Sequence, residues 1–276
     1  MPNINILSVF ILTLSSILMT MPVSYAETSS TMTSRINAEA DVYVEQNKPN
    51  ENFEGTFHNY AGYTGINGSV VSYLKFDITS IPRSNLMHDI VIDSAKLRLL
   101  IQSVNGSTST TFVTVSYCNN SAWIPSNITW EKRVCSNPTS LKGVDSVVVH
   151  DNFLPDVYNW DILEGVVRAT EASLPKITFT VTSFPLTPKP STYPSPGSSS
   201  REPIGFITFW SSEKAGFGFS AAPVLMISYT IKDSIFATSL YFMLSNVLPT
   251  LAIIVPAMLW IYRKTKGQRK MQVDKV

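Results

Sequence analysis

From Glu27 to Lys232 the chain repeats one pattern: short runs in which apolar and polar residues alternate. Leu74-Lys75-Phe76-Asp77-Ile78, Ala95-Lys96-Leu97-Arg98-Leu99 and Ile177-Thr178-Phe179-Thr180-Val181 each place their apolar side chains on a single face, the period of a half-buried β-strand. Leu225-Met226-Ile227-Ser228-Tyr229 closes the region with a more apolar version. Turn formers separate these runs at Asn47-Lys48-Pro49-Asn50, Ile66-Asn67-Gly68-Ser69, Ser80-Ile81-Pro82-Arg83 and Asn105-Gly106-Ser107. Many short strands punctuated in this way predict an all-β, jelly-roll-like antiparallel β-sandwich. One short helix is predicted over Asp161 to Val167, where apolar residues fall at helical spacing behind Asp161 as cap. Residues 185–203 hold six prolines among many Ser and Thr; without backbone donors they read as an extended loop inserted between two strands.

Both ends of the chain break the alternation. Ser234 to Tyr262 is a run of 29 uncharged residues, long enough for one tilted helix to cross a bilayer. Ile4 to Val23 is also uncharged and is followed by Ser24-Tyr25-Ala26, so residues 1–26 read as a secretory signal. No Lys or Arg precedes that run, which leaves an uncleaved N-terminal anchor as the alternative. Residues 263–276 carry six basic residues against Asp274 alone, and the bias of positive charge toward the cytoplasm places this tail inside. The expectation is a single-pass plasma-membrane protein: signal 1–26, extracellular domain 27–232, transmembrane helix 234–262 and basic cytoplasmic tail 263–276.

Charge and cysteine content narrow the partners. With the tail set aside, 15 basic residues face 19 acidic ones, which is no electrostatic footprint for nucleic acid. Cys118 and Cys135 are the two cysteines, both in the exported part, where an oxidising environment favours a disulfide over two separate buried thiols. Closing a loop of roughly 17 residues stabilises a fold by about 3 kcal/mol in the chain-entropy description. N-glycosylation acceptor sequences begin at Asn67, Asn105, Asn119 and Asn127. Asn246, Pro249 and Pro256 interrupt the apolar span and offer kinks and a polar contact to a partner transmembrane helix.

Several of these segments, in this order, resemble the DNRLRE-type domain, grouped as family 96 of the carbohydrate-binding modules. Ala40-Asp41-Val42-Tyr43-Val44 and Pro49-Asn50-Glu51-Asn52-Phe53-Glu54-Gly55 are similar to the family's opening strand and asparagine-rich loop. Ser72 to Pro82 gives the closest match, followed by Ile92 to Leu99, Trp123 with Trp130, and Tyr158 to Val167. Ile207 to Glu213 and Ala222 to Tyr229 look like its last two strands, so the resemblance spans about 38–230. Ser212 stands where the family's naming motif has Arg. The resemblance implies a jelly-roll-like sandwich that binds polysaccharide or serves as a structural surface module.

Residue chemistry adds a candidate surface and little catalytic machinery. With Leu74, Phe76, Leu97 and Leu99 inward, Tyr73, Lys75, Lys96 and Arg98 point the other way, and Trp210 follows an inward Phe209. These five are the candidate ligand-binding residues, a basic and aromatic face suited to an acidic polysaccharide; the plainer reading is that outward Lys and Arg serve solubility. His58, His88 and His150 lie in unrelated contexts with no nucleophile motif, and Glu131, Asp161 and Glu213 read as loop, cap and strand-end charges rather than a glycosidase pair. No cofactor is implied. The candidates for a structural calcium are loop oxygens such as those of Asp41 and Asp151, with no EF-hand spacing behind them. The expected function is non-catalytic recognition of a glycan near the cell surface; the alternative is a structural module that binds another envelope protein.

Overall fold

The computed structural model describes residues 29–64, 68–106, 110–135, 141–185, 205–212, 221–234, 239–241 and 243–273. They fall into two compact units: residues 30–85 with 89–231, and residues 86–88 with 232–234 and the C-terminal helical segment. The expected signal, Asn67, Ser107 and nearly all of the proline-rich stretch lie outside the described residues.

The larger unit is an all-β, sandwich-like fold, as the alternation predicts. Its strands are β1 (Ser29–Asn37), β2 (Ala40–Glu45), β3 (His58–Tyr63), β4 (Ser69–Asp77), β5 (His88–Gly106), β6 (Thr110–Cys118), β7 (Leu141–His150), β8 (Asp156–Asp161), β9 (Lys176–Pro185), β10 (Gly205–Trp210) and β11 (Val224–Asp233). They hydrogen-bond in the order β1-β11-β5-β10-β3-β4-β9-β6-β7, with β2 added to β4 and β8 added to β5. The β4–β9, β6–β9, β5–β8 and β3–β10 ladders are all antiparallel. This long sheet curls on itself, so that Leu97, Leu99 and Ile101 of β5 share one core with Leu74 and Phe76 of β4, Phe179 of β9 and Phe209 of β10. Trp160 completes that core, fully buried, with its Nε1–H donating to the Val113 carbonyl at 2.9 Å.

Two local expectations shift. Asp161 ends β8 instead of opening the helix, which forms one step later as α1 (Leu163–Glu171). Pairing with Lys96 of β5 holds Asp161 in the ladder, while its carboxylate accepts the Leu163 N–H at 3.0 Å and turns the chain into α1. Gly165 lets α1 lie against the sheet: a Cβ there would sit 3.2 Å from both Tyr117 and Phe179. Likewise Asn105 and Gly106 belong to β5, because Gly205 and Phe206 of β10 pair with them and extend the strand past the expected turn.

In the smaller unit, the helical stretch Ser239–Trp260 is 22 residues long and its most apolar 18 residues have a mean hydropathy of 1.9, enough to cross a membrane by length and composition. A wide π turn at Met243–Val247 precedes helix α2 (Leu248–Val273). Pro249, which lacks a backbone donor, lies two residues beyond the irregularity, a common cause of such a local break.

Candidate functional site

β4 carries the centre of the site. Its ladder with β2 sets Val42 opposite Tyr73 and Ala40 opposite Lys75, on the face turned away from Leu74 and Phe76. That face is covered. The segment between Cys118 and Cys135 folds back across β4 and β9, and the two cysteines form a disulfide with Cα atoms 5.9 Å apart. Trp123 from this segment packs with Val42, Val44, Tyr73 and Ile128 in a second, smaller core, and its Nε1–H donates to Thr178 Oγ1 of β9 at 2.9 Å. Asn52, in the asparagine-rich loop, pins the segment from the side by donating Nδ2–H to the carbonyls of Pro125 at 2.7 Å and Ile128 at 2.6 Å.

The outward placement of Tyr73 and Lys75 therefore needs correction. Both point away from the main core, yet they are 1% and 6% exposed because the covering segment buries them. Tyr73 donates its hydroxyl to the Val134 carbonyl at 2.9 Å, and loss of water contact pushes its pKa up to about 12. Lys75 donates Nζ–H to the Trp123 carbonyl at 2.7 Å and stands 4.5 Å from the centre of the Trp123 ring, a cation–π contact. Burial lowers the Lys75 pKa; the Glu39 carboxylate opposes that shift and the Lys176 ammonium adds to it.

Lys75 also lines the floor of a cleft of about 750 Å³. One wall is Asn119 to Pro125; the other is Leu174 to Lys176, with Glu39 across the mouth. Lys176 donates Nζ–H to Glu39 Oε1, and this hydrogen bond raises the Lys176 pKa. The Asn120 side chain accepts the Ala122 N–H at 3.0 Å, an Asx turn that fixes the wall beside Trp123. The cleft thus combines amide and hydroxyl groups, two ammonium groups, one carboxylate and the apolar surfaces of Trp123, Ile124 and Pro125. Such a mixture suits a hydroxyl-bearing ligand with apolar ring faces better than a purely apolar one.

The remaining candidates go elsewhere. Lys96 is exposed and Arg98 half-buried; on the ladder Lys96 faces Asp161 and Arg98 faces Asn159 of β8. Trp210 is half-exposed and stacks on His58 of β3, ring centres 4.5 Å apart and 25° between planes. The five residues are divided among three strand pairings and do not form one face. Trp123 is buried, whereas Trp130 is half-buried under the Arg133 guanidinium, 4.1 Å from its ring centre. Asn105 donates to Ser103 Oγ at 2.7 Å, and Asn119 and Asn127 are exposed. His88 lies 3.6 Å from the Asp233 carboxylate, and His150 Nδ1 is 3.1 Å from Thr110 Oγ1. Among the described residues no three His, Cys, Asp or Glu side chains gather as metal ligands. Asp41 instead accepts the Ser212 backbone N–H, at the place where the resembling family carries Arg.

Residues 32–203 match the profile of carbohydrate-binding module family 96, more than half of the chain. The chain belongs to that family. It is a carbohydrate-binding module, a class that recognises saccharides and generally does not transform them. No curated protein matches it. The match ends before β10 and β11, although β10 is the strand that joins β5 to β3 and so closes the module's core.

The module's cleft residues outside the original candidates, Asn120, Ser121, Lys176 and Glu39, were missed by reading strands alone. The available signal was weak: a polar Asn119-Asn120-Ser121 run wedged between a cysteine and a tryptophan. Polar loops of that kind are common, and only the disulfide and the Asn52 pins convert this one into a wall.

Proposed function

We propose that this chain is a non-catalytic carbohydrate-binding module displayed outside a membrane and held there by its C-terminal helix. The cleft over Lys75 takes the glycan. Membership of the carbohydrate-binding family carries the reading, and the cleft supports it by chemistry. Asn119, Asn120 and Ser121 supply hydrogen-bonding groups for hydroxyls, Ile124 and Pro125 supply apolar surface for a ring face, and Lys75 with Lys176 favours a saccharide bearing carboxylate or sulfate. The half-exposed Trp210 on His58 is the competing surface, since an aromatic plane can stack on a pyranose. The apolar helix and the basic residues behind it supply the anchor and its inside-facing tail.

The test is a glycan array probed with the full chain in lipid nanodiscs, followed by titration of any hit. Asn120→Ala/Lys176→Ala alters only exposed or rim groups of the cleft; Trp210→Ala and Lys96→Ala/Arg98→Ala alter the other candidate surfaces. Saturable binding weakened about tenfold by the cleft pair, the loss of roughly 1.4 kcal/mol, with the Lys96/Arg98 pair unchanged, is the expected outcome. Loss confined to Trp210→Ala would move the site to β10. Failure to bind any acidic or neutral glycan would sink the glycan reading in favour of a module that assembles with another envelope protein.

A further inference from the structure

We propose that the bend at Leu86-Met87 is a second membrane contact of this protein, seated in the lipid headgroup region beside the C-terminal helix. The inference rests on that helix being a membrane anchor. Leu86 is 71% exposed and Met87 48% exposed, two adjacent large apolar side chains at the tip of the connection between β4 and β5, where a turn in water ordinarily carries polar residues. The bend is held, not loose. The Met87 carbonyl accepts the Ser234 N–H at 2.9 Å, and the Leu86 carbonyl accepts the Ser234 hydroxyl. His88, the next residue, lies 3.6 Å from the carboxylate of Asp233. Residues 86–88 accordingly belong to the same compact unit as residues 232–234 and the C-terminal helical segment.

Chain length then brings the bend to the bilayer. The apolar helix begins at Ser239, five residues beyond Ser234 in the sequence, and a fully extended chain of that length reaches at most about 17 Å. The headgroup layer on each side of the hydrocarbon is itself several Å thick. A pair of exposed apolar side chains fixed to the stalk of the anchor is therefore within reach of the interface, where burying them is favourable. Ser84, Asn85, Leu86, Met87 and His88 include no acidic residue, while Asp89 follows them and the Asp233 carboxylate stands beside His88, so the attraction to lipid is that of the two apolar side chains. Lipid is the occupant that this continuity with the anchor supports.

The experiment uses the full chain, disulfide intact, reconstituted in vesicles of phosphatidylcholine and phosphatidylglycerol. Single cysteines at three exposed positions, Leu86→Cys, Ile253→Cys and Glu171→Cys, carry an environment-sensitive fluorophore, and lipids spin-labelled at the headgroup or deep in the acyl chain act as quenchers. The expected result is strong quenching of Ile253→Cys by the deep label, loss of most Leu86→Cys emission to the headgroup label with a blue-shifted spectrum, and neither for Glu171→Cys. A Leu86→Cys probe that behaves like Glu171→Cys while Ile253→Cys is quenched overturns the second contact and leaves the anchor standing. An unquenched Ile253→Cys probe overturns both. Shielding of Leu86→Cys from aqueous iodide without quenching by either lipid assigns the bend to a protein contact and likewise overturns the proposal.

Discussion

The two faces of β4 have the same alternation and opposite characters. Leu74 and Phe76 enter a large core of Leu, Ile, Val and Phe gathered from nearly every strand. Tyr73 and Lys75, one residue out of phase, are just as buried, but under a single loop segment held by a disulfide, two Asn52 hydrogen bonds and the edge of Trp123. The first face is buried by other strands of the sheet; the second is buried by irregular chain. Side-chain period reports the direction a residue points, and it says nothing about what arrives to cover it.

Removing bulk from each face should separate the two kinds of burial. Phe76→Ala opens a cavity in the main core, and a loss of about 4 kcal/mol of unfolding free energy is expected in urea titration. Trp123→Ala should cost less, about 3 kcal/mol, because a loop can collapse where a sheet cannot, and it should also release Lys75 to water so that its amine titrates higher. Equal or greater loss for Trp123→Ala would show that the covering segment is as rigid a part of the core as the sheet.

A finer probe is alkaline stability. Tyr73 stays protonated in the folded state up to about 12, whereas in the unfolded chain it ionises near 10. Below pH 10 both states hold the proton and the stability from the buried phenol is complete. Between pH 10 and 12 only the unfolded state releases it, so stability falls as pH rises. Over that interval the wild type should lose about 2 kcal/mol more than Tyr73→Phe; equal slopes would mean that the covering segment opens and admits water to Tyr73. The smallest effect belongs to the mouth of the cleft. Lys176→Ala removes the contact with Glu39, but both partners are about a third exposed, so a change of about 0.5 kcal/mol is expected. A much larger loss would make that pair part of the second core.

Much of the module was legible from the chain alone. Leu97, Leu99, Ile177, Phe179, Ile227 and Tyr229 all point into the main core as their spacing predicts, because period two is a property of each strand by itself. The pairing of Cys118 with Cys135 was legible for a similar reason: with two cysteines in the chain, each has one possible partner. The candidate site was legible only as a list. Lys75 belongs to it, but as the buried floor of a cleft; Lys96 and Arg98 stand opposite Asp161 and Asn159 of β8 in the ladder; Trp210 lies on His58. No spacing along β4, β5 or β10 encodes which strand becomes its neighbour.

The sequence by itself thus determined the strands, the inward residues, the disulfide and an apolar helix fit to cross a membrane, since each follows from local periodicity, composition or a forced choice of partner. The tertiary structure alone decided that the chain between Cys118 and Cys135 closes over Tyr73 and Lys75, that Asn119 to Pro125 faces Lys176 across a cleft, and that Leu86 and Met87 sit beside Ser234. Those juxtapositions join residues tens to more than a hundred positions apart. They arise from the order in which the sheet assembles and the packing of loops upon it, which no local pattern records.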